Sequence, residues 1–481
     1  MRKSNFTAHD HIYLQVADGL EKMIADDVLK IGDKLPSVRV LSDEYGISMG
    51  TAFQAYYHLE GKGLIESRPK SGYYVRFSQK RFRELPKVIQ PDVFSHDVSV
   101  KEMIATIYSD IATDHDKVIN FALAVPHISL LPAAKISKSV IAALRNSPDH
   151  CINYGHTQGN LDLRKQIAKL SFNWGGKVKP DEVIVTSGCL EAMTLCLRAV
   201  TSHGDTVAVE SPNYFGIYQA IESMGLKVVE ISSCPVSGLD LDCLQEVIKK
   251  YPIKACVVIP NFNNPLGGCM PDENKKELVD IITRENIPLI EDDIYGELYF
   301  GKNRPRTCKY YDTKGMVMHC SSLSKSLTPG YRIGWTLPGK FMDQVKQIKR
   351  IHNISSPTLT QAAMAHFLQH GRYEYHLKNL RKALHTQCLR YMQAIIEYFP
   401  EDTKVSRPHG GFVLWVELGK SVNAFKLRAE AMKHNISIVP GKIFSASCNY
   451  DNCIRISFGK PWDDDADYGL MMLGKLIRKF G

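Results

Sequence analysis

The sequence predicts two units: a small helical head closed by a β-wing, followed by a large α/β body on a mainly parallel sheet. Three observations predict it. Three short amphipathic stretches before residue 62 lead into two strand-like runs split by a turn rich in Gly, Pro and positive charge. Beyond residue 118, short apolar runs rich in β-branched residues alternate with helical patterns, which marks a parallel sheet covered by helices. Finally, 481 residues exceed the length at which a single core keeps growing.

Composition sets the class. With 44% hydrophobic and 23% charged residues the chain reads as an ordinary globular protein without low-complexity tracts. The net charge of +9 says little by itself, because its location decides what it attracts. The 12 cysteines are scattered, several within apolar runs, with neither a CxxC pair nor a nearby His cluster, so reduced core residues and no metal site are expected. Residues Met1 to Phe6 lack an apolar leader, and no apolar run reaches the roughly 18 residues of a membrane span. A cytoplasmic protein without membrane contact is the expectation.

In the head, Tyr13, Val16, Leu20 and Ile24 form one face of a helix from His9 to about Val28, broken by Gly32-Asp33. Ser37 caps a second helix with Val38, Leu41 and Tyr45 on one face and Gly46 as its stop. Ser48 caps a third, in which Ala52, Ala55 and Leu59 face inward while Thr51 and Gln54 do not, ended by Gly61 and Gly63. Leu64 to Ser67 and Tyr73 to Arg76 are the wing strands. Lys62, Arg68, Lys70, Arg76, Lys80, Arg81 and Arg83 surround them against the single acid Glu66, a local field suited to a phosphate backbone. A protein-docking module, with Arg39 as a surface ion-pair partner, is the bland alternative.

Leu35-Pro36-Ser37-Val38-Arg39, Ser48-Met49-Gly50-Thr51, Gly63-Leu64-Ile65 and Ser71-Gly72-Tyr73 resemble the GntR-type winged helix-turn-helix over about the first 78 residues. The resemblance implies double-stranded DNA as partner, with the third helix in the major groove, Arg39, Ser48 and Thr51 touching DNA, and the wing tip of Lys70, Ser71 and Gly72 at the adjacent minor groove. Met49 and Phe53 stand where some relatives carry arginines, which points to apolar base contact. Residues 79–117, with mixed charge and scattered Pro, read as a linker holding at most a short helix from Val100 to Ile111.

In the body, 118–481, the predicted strand runs are Val183-Ile184-Val185, Val207-Ala208-Val209, Cys256 to Ile259, Pro288-Leu289-Ile290 and Met316-Val317-Met318. Ligands in such sheets sit beyond the carboxyl ends of the strands, where the polar segments fall. Ser187-Gly188-Cys189 opens a helix whose amides and dipole suit a phosphate. Asn261 to Gly267, Glu291 to Tyr295, and Ser321 to Lys325 with Arg332 follow three other strands.

Together with Tyr154 to Gly159, Gly410-Gly411-Phe412 and Arg455 to Phe458, these segments resemble fold-type I pyridoxal-phosphate aminotransferases, an α/β fold with a smaller α+β subdomain. The resemblance implies pyridoxal 5'-phosphate as cofactor and Lys325 as the Schiff-base lysine. It gives Asp292 to the pyridine nitrogen, Asn264 and Tyr295 to the ring hydroxyl, and Tyr214 to the ring face. Ser322, Arg332 and the amides of Ser187, Gly188 and Cys189 would hold the phosphate, Tyr154 would come from a neighbouring subunit of a homodimer, and Arg455 would clamp a substrate carboxylate. Cys189-Leu190 departs from the hydroxyl or amide side chains of many relatives.

A GntR-type head on such a body resembles the MocR subfamily of bacterial transcription regulators. The implied function is regulation, with the body sensing a small amino compound or pyridoxal phosphate itself. A working aminotransferase with an accessory head is the second reading, since the catalytic set is retained, and a scaffold with a dead site is the third.

Overall fold

The computed structural model describes residues 12–26, 28–30, 32–61, 64–68, 71–75, 84–91, 94–98, 118–447 and 449–480. The suggested helix over Val100 to Ile111 and the residues Lys62, Lys70, Arg76, Lys80, Arg81 and Arg83 lie outside them.

The head packs α1 (Ile12–Ala25) and α2 (Val38–Tyr45) against α3 (Met49–Gly61), followed by β1 (Ile65–Arg68) and β2 (Gly72–Val75). Local chemistry sets the boundaries. The Ser37 side chain accepts from the Val40 amide at 3.2 Å, and Gly46 ends α2 at φ +62°, a left-handed conformation suited to glycine. The Ser48 hydroxyl accepts from the Thr51 amide at 3.0 Å. Val16, Leu20 and Ile24 meet Leu41, Ala52, Ala55 and Leu59 in one core. Tyr56, fully buried, donates its hydroxyl to the Pro36 carbonyl at 2.6 Å and so ties α3 to the entry of α2. The wing strands pair antiparallel with Ile65 opposite Val75.

The body is organised by β3 (Ile184–Thr186), α4 (Cys189–Val200), β4 (Thr206–Ser211), β5 (Lys227–Cys234), β6 (Ile253–Val258), β7 (Leu289–Asp292), β8 (Val317–Ser322) and β9 (Gly334–Leu337). In space the order is β5-β4-β6-β7-β8-β9-β3. Pairing is parallel from β5 through β8, while β9 runs antiparallel to both β8 and β3. The five predicted runs are all strands, and their near-continuous burial is that of a sheet covered on both faces. The sequence reading does not single out β5 and β9, nor the short edge strand His96–Asp97, which lies within the expected linker 79–117 and pairs antiparallel with β5 in the body sheet. Beyond it lies a smaller α+β unit, in which Lys404–Val405, Val413–Glu417, Cys453–Ser457 and Val439–Pro440 form an antiparallel sheet beside helices Tyr373–Tyr398 and Asp464–Phe480. Trp415, 1% exposed, sits edge-on to Phe444 and Tyr450 where this unit meets the larger core.

Removing the Tyr56 hydroxyl leaves the Pro36 carbonyl without its donor. Tyr56→Phe is expected to destabilise the head by about 1 kcal/mol, and Tyr56→Ala by roughly 3–5 kcal/mol because a cavity opens as well. Hydrogen exchange of the α3 amides in the full-length chain measures both.

Candidate functional site

Because β6, β7 and β8 are parallel neighbours, the segments after them emerge side by side, and the turn after β3 closes the same edge. They border a cleft of about 390 Å³ lined by Cys189, Tyr214, Asn264, Asp292, Tyr295, Lys325, Arg332 and Arg455, as well as by the strap Ala122 to Val125. That volume lies in the range of small-molecule sites.

Asp292, at the end of β7 and 3% exposed, receives two donors on one oxygen. The Ile294 amide reaches Oδ1 at 3.0 Å and the Cys189 thiol reaches the same atom at 3.3 Å. Burial pushes the Asp292 carboxyl up to about 6, against the opposing pull of these two bonds. The Cys189 thiol is raised by burial and by the Asp292 charge, so it stays a donor. The resemblance assigned the Cys189 amide a phosphate contact, whereas its side chain points to the carboxylate.

Lys325 donates to the Ala124 carbonyl at 2.6 Å. Burial and the nearby Arg455 guanidinium lower its ammonium to about 8, with Asp292 opposing them. Arg455 is 2% exposed, donates to Asn264 Oδ1 at 3.2 Å and to the Ala122 carbonyl, and lies over the Phe444 ring with 5.4 Å to its centroid. Arg332 stands at φ +54° and donates to the Ser187 carbonyl at 2.9 Å. A side chain on Gly188, at φ +97°, would collide with that guanidinium, so the close approach requires glycine.

Four expected site residues, Ser187, Gly188, Ser322 and Tyr154, do not line this cleft. Ser187 donates its amide to the Glu191 side chain, which reaches back from the first turn of α4, leaving the Gly188 and Cys189 amides at the helix start. Ser322 accepts from the Ser324 amide at 3.2 Å and borders a small internal void of about 20 Å³, while Ser324 borders the cleft. Tyr154 is 85% exposed and lies on a separate surface hollow with His150, His156 and His366. The sequence reading missed the strap and Glu191, for backbone carbonyl acceptors leave no side-chain signature and a lone glutamate in a helical first turn reads as ordinary capping. Behind β7, Asp293 accepts from Asn261 at 2.8 Å and meets Arg304 and His319. Burial drives the Asp293 carboxyl upward, yet Arg304 and His319 outweigh it and hold the group well below the usual carboxylate range. Among the described residues no cluster of His, Cys, Asp and Glu is arranged to hold a metal ion.

On the head, Arg39 and Ser48 are exposed, and the Ser48 and Thr51 hydroxyls bond each other at 2.8 Å. Met49, Phe53 and Tyr57, four apart, form an exposed apolar stripe along α3. At the wing, Ser71 and Tyr74 hydroxyls bond at 2.6 Å, and Gly72 adopts φ +108°. Lys34 was not anticipated there; it bridges to Tyr74, and Leu35 donates to the Tyr73 carbonyl at 2.8 Å, so this segment forms an edge beside the wing.

Residues 12–75 match the bacterial regulatory proteins of the gntR family, and residues 121–469 match aminotransferase class I and II. The uncharacterized HTH-type transcriptional regulator YdcR of Escherichia coli K12 is 35% identical over 97% of this chain and 99% of its own length. The chain belongs to the MocR subfamily of GntR-type regulators. Among solved structures, the body of this MocR-type chain resembles the α-aminoadipate aminotransferase LysN of Thermus thermophilus, complexed with N-(5'-phosphopyridoxyl)-L-leucine, at 27% identity and TM-score 0.72, covering 80% of this chain and 99% of LysN. The Pyrococcus horikoshii kynurenine aminotransferase, in complex with PMP, matches at 26% identity and TM-score 0.72 over 79% of this chain and 94% of its own. No helix among the described residues is long and apolar enough to cross a membrane.

The neutral amine is the nucleophile, and its population grows as pH rises through about 8 at Lys325. Labelling of Lys325 by an amine-reactive reagent, read by peptide mass spectrometry, should therefore reach half its maximum near pH 8, below the exposed lysines. Asp292→Asn removes the charge that favours the ammonium and should move that midpoint lower still.

Proposed function

We propose that this chain is a cytoplasmic, DNA-binding transcription regulator whose body, residues 118–481, holds pyridoxal 5'-phosphate and responds to a small amino compound. The observation that carries this reading is the convergence of Lys325, Asp292 and Arg455 on one cleft in a chain that also bears a gntR-type head. The donor set fits the cofactor. It offers a lysine amine lowered toward neutrality for the aldehyde, a buried carboxylate whose two donors both engage Oδ1 and leave Oδ2 for a ring nitrogen, and a guanidinium beside a helix start for a phosphate.

When bound, pyridoxal phosphate supplies an electron-withdrawing ring joined covalently through Lys325. In this reading Tyr214 covers the ring face, Asn264 and Tyr295 hydrogen-bond its hydroxyl, and Arg332, Ser322 and the Gly188 and Cys189 amides take the phosphate, the Ser187 amide being engaged by Glu191. Arg455 pairs with the carboxylate of the amino compound. The exposure of Tyr154 supports a homodimer in which each Tyr154 serves the other copy's cleft. The head, residues 1–78, would reach double-stranded DNA through Arg39, Ser48 and Thr51 and through the wing tip of Lys70, Ser71 and Gly72, joined to the body by a linker over 79–117. Two heads on one dimer would read two half-sites. The retained lysine, aspartate and arginine also favour a second reading, an aminotransferase with an accessory head.

The deciding measurement is a visible-absorption titration of the full-length protein run alongside DNA binding. A band that Lys325→Ala abolishes, and an amino compound that shifts spectrum and DNA affinity together without accumulating keto acid, are expected. Keto acid formed over many turnovers at unchanged DNA affinity would make the protein an aminotransferase with a passive head. Arg39→Ala should weaken binding on all DNA sequences alike and reduce the salt-dependence slope by about 1, as measured by fluorescence anisotropy.

A further inference from the structure

The second helix of a helix-turn-helix sets its N-terminal residues against base edges in the major groove, and in this head that helix is α3. Its exposed positions are Met49, Gly50, Phe53, Gln54 and Tyr57, none of them charged. Met49 is 56% exposed and Phe53 51%, about one turn apart within the first two turns, and Gly50 between them adds no side chain to hold the backbone off a partner. Tyr57, next along the stripe, has the Lys382 ammonium of the long body helix over its ring at 5.3 Å, so Met49 and Phe53 are its uncovered end. The groups suited to phosphate stand beside this stripe rather than on it. Arg39 belongs to α2, and the Ser48 and Thr51 hydroxyls at the start of α3 bond each other.

In the major groove thymine alone presents a methyl group, whereas guanine is matched by arginine or lysine and adenine by an amide such as that of Gln54. An apolar side chain pressed on a polar base edge would strip its water without replacing the hydrogen bond, while one on a methyl group gains from leaving water. We infer that Met49 and Phe53 read thymine through its methyl group, so that the DNA site carries thymines facing the first two turns of α3. This inference rests on the DNA-binding reading and names what the helix recognises within it.

The test takes a duplex that the full-length protein, with pyridoxal phosphate present, selects from a randomised library. Fluorescence anisotropy then compares it with the same duplex carrying uracil for thymine, one position at a time. Uracil keeps every hydrogen-bonding group of thymine and lacks only the methyl. A roughly fourfold loss of affinity at each contacted thymine, the worth of one buried methyl-sized group, is expected, with the salt dependence unchanged. Met49→Ala and Phe53→Ala, at exposed positions outside the head core, should each erase the preference for thymine over uracil at one position and keep it at the other. A protein that enriches no sequence, a selected duplex bound equally well in its uracil form, or a preference that survives both substitutions overturns this inference alone. A protein that binds no duplex overturns the DNA-binding reading and the inference with it.

Discussion

Parallel pairing of β7 between β6 and β8 is the constraint on which the site depends. Parallel neighbours send their carboxyl ends to one edge, so Asn264, Asp292 with Tyr295, and Lys325 arrive together although about sixty residues separate the first from the last. The antiparallel β9 then brings β3 alongside, which adds the turn Ser187-Gly188-Cys189 and the start of α4. Arg455 arrives from a different sheet, on Cys453–Ser457, and so ties the smaller unit to the same cleft. The packing of that unit against the large core through Trp415, Phe444 and Tyr450 therefore governs where the guanidinium stands.

The electrostatics follow from that geometry. Two adjacent acids at the end of β7 are driven apart in behaviour by what faces them. Asp293 meets Arg304 and His319 and stays ionised, whereas Asp292 meets a thiol and one amide and is raised by burial. The cleft side thus keeps a carboxylate whose charge is incompletely compensated, opposite an amine whose proton is loosely held. Cys189 takes part in that balance: a weak thiol donor on Oδ1 orients the carboxylate without neutralising it as strongly as a cation would.

Much of this was legible in the sequence. The head's helices, caps and wing follow from amphipathic spacing and from Ser37, Gly46 and Ser48, whose local hydrogen bonds need only neighbouring residues. The strand runs were legible because burial on both faces demands continuous apolar residues, and the cleft residues because they follow those runs directly. What escaped depends on distant partners. Lys34 reaches the wing by backbone bridging to Tyr74, and the strap carbonyls of Ala122 and Ala124 receive Arg455 and Lys325 across the cleft. None of these contacts has a side-chain pattern in the segment that supplies it.

On the proposed reading, the strap also bears on how the cleft and the head would act together. It holds both Arg455 and Lys325 through carbonyls, and a ligand carboxylate that pairs with Arg455 competes with the Ala122 carbonyl for the same guanidinium. The residues just before it, Ile119–Asn120, pair with Ile436–Ser437 of the smaller unit. The connection from the head also joins the body earlier, where His96–Asp97 pairs antiparallel with Lys227–Val228 of β5 and the Lys87 amide donates to Glu417. A ligand changes an equilibrium only by as much as it binds one state better than another. On the proposed reading, a ligand carboxylate and the Ala122 carbonyl would compete for Arg455, a contact that would differ between the free and bound states as such a difference in affinity requires.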